Sequence, residues 1–195
     1  MLSENEREIL LDLAFQTVKA TAEGSALPKI NFDQLPECFQ HPMATFVTLS
    51  TAGALRGCIG TTQIQHALAL DVIQRAQSAA SRDPRFPAIT PVEVPNLDIE
   101  ISLLTPPQPI IFSSPEELLE HLKASKEGVI VKSGARRATF LPQVWERVND
   151  PQIFLELLCQ KASLHRDAWR SGEIQVETYQ VESFHRKAQN TNLDE

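Results

Sequence analysis

The sequence predicts an α+β fold: a mixed or antiparallel sheet with flanking helices. Three observations carry this. Strand-like and helix-like runs alternate irregularly along the chain, two pairs of strand runs are close enough to form hairpins, and within residues 97–104 Leu97, Ile99, Ile101 and Leu103 alternate with Asp98, Glu100 and Ser102. Hairpins exclude a purely parallel sheet, so the doubly wound arrangement is disfavoured.

Taken in order, Ser3 followed by Glu6 forms a capping box. Ile9, Leu10, Leu13, Ala14 and Val18 then recur at helical spacing as far as Gly24, a C-terminal stop. Residues 25–42 hold Pro28, Pro36 and Pro42 without periodicity and read as an irregular connection. Residues 43–50 and 54–61 are strand runs joined by Thr51-Ala52-Gly53, and helical spacing returns from Ile64 to about residue 82, ended by Pro84. The alternating strand follows, then Ser114-Pro115-Glu116-Glu117 opens a helix with a serine cap and proline in the first turn. Residues 128–140 read as a second hairpin, Asp150-Pro151 starts another helix, residues 174–184 form one closing strand, and the residues from 188 are a polar tail.

At 195 residues the chain is long enough for one large domain or two small lobes. No apolar run approaches the roughly 18 residues that span a bilayer, and the acidic start, Glu4 and Glu6, is unlike a signal peptide, so a cytoplasmic protein is expected. A net charge of −7 argues against general attraction to nucleic acid. Cys38, Cys58 and Cys159 are odd in number with no CxxC pair, and the five histidines show no HxH or HExxH spacing. Neither a disulfide framework nor a metal site is expected, and no cofactor is specified. GxSxG, GxxxxGK[ST] and GxGxxG are absent, which excludes common hydrolase, nucleotidase and dinucleotide-dependent patterns.

The chemistry-bearing stretch is Leu55-Arg56-Gly57-Cys58-Ile59-Gly60-Thr61. In an extended strand Arg56 and Cys58 share a face, their Cα atoms roughly 7 Å apart, where one charge pair is worth about 2 kcal/mol at an effective dielectric of about 20. A thiol beside a cation is a nucleophile candidate; a small buried cysteine between packing glycines is the plain alternative. Glu100, on the polar face of its strand, is the candidate partner of Arg56, as a salt bridge or as the third member of an Arg56–Cys58–Glu100 pocket. Asp83 and Arg85 either cap a helix or border that pocket. Gly57, Gly60 and Gln143 are weaker ligand-binding candidates. Lys132, Arg136 and Arg137 cluster around a hairpin turn, where a solvated charged tip is favoured over an anion site.

The Leu55–Thr61 string, preceded by Phe46-Val47-Thr48-Leu49, resembles the signature of the AMMECR domain family, also called AmmeMemoRadiSam system protein A. Asp83-Pro84-Arg85-Phe86, residues 97–104, residues 139–145 and residues 154–162 match it in the same order. The resemblance implies one AMMECR-type domain over residues 1–187, with two lobes and both termini in the larger. It also implies partnership with Memo-like and radical SAM proteins, while supplying no settled activity or substrate. Two readings follow: an enzyme or enzyme component acting on a small molecule through Arg56, Cys58 and Glu100, or a non-catalytic protein- or ligand-binding module.

Overall fold

The computed structural model describes residues 2–188; residues 189–195 of the polar tail lie outside the described residues. The chain divides into two compact units, the first made of the residues up to Leu103 plus those from Glu182 on, the second of Leu104–Val181. Among the described residues, four α-helices and two four-stranded sheets make the fold α+β, as expected.

In the first unit, helix α1 (Glu4–Glu23) begins at the foreseen capping box: the Ser3 hydroxyl accepts from the Glu6 amide while the Glu6 carboxylate accepts from the Ser3 amide at 2.7 Å. It ends where Gly24 adopts φ +67°, a left-handed conformation that costs glycine nothing. Strands β1 (Ala44–Thr51) and β2 (Ala54–Gly60) form the first hairpin, followed by helix α2 (Leu68–Ser81) and strand β3 (Asp98–Leu104). The turn places Ala52 at φ 49° and Gly53 at φ 79°, the handedness that a two-residue hairpin loop requires.

The sheet order is β2-β1-β3-β8, with β8 being Val181–Arg186. β8 runs antiparallel to β3, since Ser102 meets Ser183 while the Ala188 amide reaches Asp98. Alternation along β1 and β3 sends Val47, Leu49, Ile99 and Ile101 to one face, where Leu10, Leu11 and Val18 of α1 and Val72 and Ala76 of α2 cover them. Each fully buried leucine or isoleucine there contributes about 2 kcal/mol. A contact that sequence reading did not foresee locks α2 onto the sheet: the buried Asp71 carboxylate accepts from the Thr45 amide at 3.1 Å, the Thr45 hydroxyl at 2.6 Å and Arg75 at 2.9 Å.

The second unit contains β4 (Gln108–Pro109), α3 (Pro115–Ser125), β5 (Gly128–Ser133), β6 (Arg136–Phe140), α4 (Pro151–Lys161) and β7 (Gln175–Tyr179), its sheet ordered β4-β7-β5-β6 with antiparallel neighbours. Leu118 and Leu122 of α3 and Phe154, Leu155 and Leu158 of α4 pack with Val129, Val131 and Val176. Trp145 stacks flat on Phe154 at 3.7 Å and donates its indole N–H to the Glu127 carbonyl at 2.8 Å, so these family-pattern aromatics are core.

The single closing strand expected over residues 174–184 is in fact two. β7 and β8 are separated only by Gln180 and belong to different sheets; the break is fixed by mutual bonds between Thr105 and Gln180, the Gln180 amide to the Thr105 hydroxyl and the Thr105 amide to the Gln180 carbonyl. An uninterrupted run of strand-forming residues conceals such a change of sheet. Among the described residues no helix is long and apolar enough to cross a membrane.

Candidate functional site

The signature string is β2, and β2 is the edge of its sheet. An edge strand exposes amide and carbonyl groups that must be met by something other than a neighbouring strand. Along most of the hairpin the register is regular, with Phe46 opposite Gly60, Thr48 opposite Cys58 and Leu49 opposite Gly57. The register then slips between Leu49 and Ser50, so that Ser50 faces Leu55 and Arg56 is left without a partner. This is a β-bulge, which re-aims the side chain it carries.

The structure corrects the expectation that Glu100 is the partner of Arg56. Arg56 instead binds Glu93, Nε to Oε1 at 2.7 Å and Nη2 to Oε2 at 3.3 Å, and donates to the carbonyls of Pro87 at 2.7 Å and Ala88 at 3.2 Å. Glu93 also accepts from the amide and hydroxyl of Thr90. Arg56, followed by Thr90, holds the Glu93 carboxyl down at about 2. Arg56 is thus a clamp on segment 87–93. Glu100 sits on β3, where the Ser102 hydroxyl points at it from 3.5 Å.

The guanidinium that does approach Cys58 is that of Arg85. The Cys58 amide, pointing outward from the sheet edge, donates to Oδ2 of Asp83 at 2.9 Å, and the Cys58 carbonyl faces Nη2 of Arg85 at 3.4 Å. Arg85 grips the same carboxylate through Nε to Oδ1 at 2.9 Å and Nη2 to Oδ2 at 2.7 Å. The Asp83–Arg85 pair therefore supplies the acceptor and donor that a missing neighbour strand would have given. Arg85 above all, with the amides of Cys58 and of Arg85 itself, holds the buried Asp83 carboxyl well below the usual carboxylate range against its own burial. Asp83 in turn raises the Arg85 pKa, with a contribution from the nearby Cys58.

The Arg85 side chain is nonetheless 54% exposed. Its Nη1 donors have no partner among the described residues, while Nε and Nη2 are engaged. The Cys58 sulfur accepts from the Thr48 hydroxyl at 3.2 Å on the face of the sheet opposite the helices. By the alternation of β3, Glu100 and Ser102 share that face.

The two glycines of the string answer to packing. A Cβ at Gly57 would lie 2.2 Å from the carbonyl oxygen of Ala79 in α2, and one at Gly60 would lie 2.1 Å from the Phe46 ring. Gln143 is exposed in the second unit. There Lys132 binds Glu177 at 2.5 Å, while Nε of Arg137 is buried without a partner among the described residues. Among the described residues no three His, Cys, Asp or Glu side chains gather as a metal site. The other thiols differ in kind: burial and then the bond to Glu6 push Cys38 up to about 11, and burial raises Cys159.

Fold and site together define an α+β protein whose edge hairpin offers the Cys58 main chain to a clamped Asp83–Arg85 pair. The AMMECR1 family model matches residues 11–184, and the chain belongs to that family. A protein of Methanothermobacter thermautotrophicus is 36% identical over 94% of this chain and 96% of its own, and one of Thermofilum pendens is 37% identical over 94% and 91%. The crystal structure of an uncharacterized protein from Pyrococcus horikoshii has a TM-score of 0.86 and 31% identity, covering 96% of this chain and 94% of that one.

Proposed function

We propose that this protein is an enzyme, or a component of one, that receives a small anionic substrate at Cys58 and Arg85. Cys58 is the nucleophile, Arg85 holds the anionic group, and Asp83 positions Arg85. The observation that carries this reading is the Arg85 guanidinium, locked on a buried carboxylate yet open to solvent with a full set of Nη1 donors to spare. A guanidinium fixed along one edge by Asp83, lying over the Phe86 ring at 5.4 Å and open at Nη1, is a pre-organised anion receptor. Arg56 acts at a distance, holding segment 87–93 in place. Glu100 is two strands away from Cys58 in the sheet, at least roughly 10 Å, so it moves a proton only through a substrate that spans the gap. The family resemblance extends the proposal to joint action with Memo-like and radical SAM partners in the cytoplasm. The non-catalytic binding module is favoured by one observation, that Gly57, Gly60 and Arg56 are all occupied with packing.

The test compares alkylation of Cys58 by iodoacetate and by iodoacetamide. The proposal expects the anionic reagent to be favoured, the preference to fall about tenfold in Arg85→Gln, as for loss of one charge-assisted contact, and Arg85→Lys to restore part of it. Equal rates for both reagents in the parent protein, or a preference unaffected by Arg85→Gln, would remove the anion-receiving role.

A further inference from the structure

A concavity in the first unit lies beside the second half of α1, and neither Cys58 nor Arg85 lines it. It has a volume of about 350 Å³, within the roughly 300–1,000 Å³ of small-molecule sites. Its floor is hydrocarbon: Phe15 of α1, Val94 of the turn before β3, and Leu97 and Ile99. Its rim is cationic, with Lys19, Arg186 and Lys187 against one carboxylate, Glu23, in a chain whose net charge is −7.

The three cations are not equivalent. Arg186 is occupied, bound to Glu8 and Asp12 at 2.6 Å each. Lys19 and Lys187 are exposed and make no hydrogen bond or ion pair among the described residues. An apolar hollow with two uncommitted ammonium groups at its mouth matches a molecule with a hydrocarbon body and one terminal negative charge. Val94, Leu97 and Ile99 offer no side-chain polar atom below the rim, so a sugar or a dicarboxylate would bury polar groups without partners, which costs more than the apolar walls return.

We infer that this hollow binds an apolar monocarboxylate, a medium-length acyl chain or an aryl acid, with its carboxylate between Lys19 and Lys187. The inference is independent of the chemistry proposed at Cys58, because the two sites share no residue.

Calorimetric titration of the full chain with decanoate, decanol and decylammonium isolates the charge from the hydrocarbon. Decanoate should bind at least tenfold more tightly than decylammonium, as expected for two exposed charge contacts of opposite effect on the two ligands. In Lys19→Gln/Lys187→Gln that preference should shrink to within about twofold, with decanol binding unchanged, since the double variant removes charge and leaves the floor intact. Nuclear Overhauser contacts from the decanoate chain should reach the Phe15 ring. Three results would overturn the inference: equal binding of the charged ligands by the parent protein, a preference that survives the double variant, or Phe15 contacts to residues of the chain after Ala188 instead of to decanoate. The last would assign the hollow to the protein's own C-terminal segment.

Discussion

Replacing Gly57 by alanine tests the central packing claim about the signature hairpin. The added Cβ would lie 2.2 Å from the Ala79 carbonyl oxygen, where ordinary contact begins at 3.4 Å, so β2 and α2 must separate by about 1.2 Å. The obstacle is main chain and no rotamer change relieves it, which puts the cost near the upper end of overpacking, about 3 kcal/mol. Alanine also restricts the unfolded chain, which offsets about 0.7 kcal/mol. The net loss of about 2 kcal/mol corresponds to a fall in Tm of about 4–8 °C for a chain of this size. Both tryptophans, Trp145 and Trp169, lie in the second unit, so intrinsic fluorescence is the wrong probe; amide hydrogen exchange in β1, β2 and α2 reads the effect directly. Gly60→Ala supplies the contrast. Its obstacle is the Phe46 ring at 2.1 Å, and Phe46→Ala should relieve it by about 1 kcal/mol in a double-mutant cycle, whereas Ala79→Gly should not relieve Gly57→Ala. Stability of Gly57→Ala within about 0.5 kcal/mol of the parent, with α2 exchange unchanged, would refute the close approach of helix and hairpin.

Five further outcomes are expected. Arg56→Met should destabilise segment 87–93 by about 1–2 kcal/mol, read as faster exchange there, because it leaves Glu93 and two carbonyls without their donor. The Glu93 carboxyl is lowered from 4.5 to about 2, so its contribution is complete above pH 4.5 and is lost as pH falls toward 2; acid unfolding of Arg56→Met should lack that step. Asp83, also depressed, should act with the same sign, and Asp83→Asn should flatten the acid limb of the stability curve while increasing the mobility of Arg85. At neutral pH Cys58 should be alkylated before Cys38, whose rate should climb about tenfold per pH unit up to about 11, and before Cys159, which is buried and should label only on unfolding. The chain has one tyrosine, Tyr179, and its ultraviolet titration should have its midpoint at about 12, because burial opposes the phenolate.

Local chemistry was legible in the sequence wherever its cause is local. The Ser3–Glu6 box, the Ala52-Gly53 turn, the alternation before Thr105 and the Ser114-Pro115 start each depend on neighbours within four residues, and each appears with boundaries close to those expected. What escaped depends on distant groups. The bulge at Arg56 arises in pairing with β1, and it sends the guanidinium to Glu93 in place of Glu100. The position of β2 at the sheet edge, which gives Asp83 and Arg85 their task, is a matter of topology that composition does not encode. For Asp83 and Arg85 the sequence left helix capping and a place beside Cys58 both open, and the carboxylate turns to the Cys58 amide.

The order in which the strands are made has a consequence for synthesis. β8, the last strand of the first sheet, is encoded after the whole of the second unit, so on a ribosome adding about 5–20 residues per second β3 waits on the order of ten seconds with one flank open. During that interval the nascent polypeptide presents an unpaired β-ribbon to its surroundings, while the later-made insert can already mature. The open flank of β3 is closed only once Val181–Arg186 have been made.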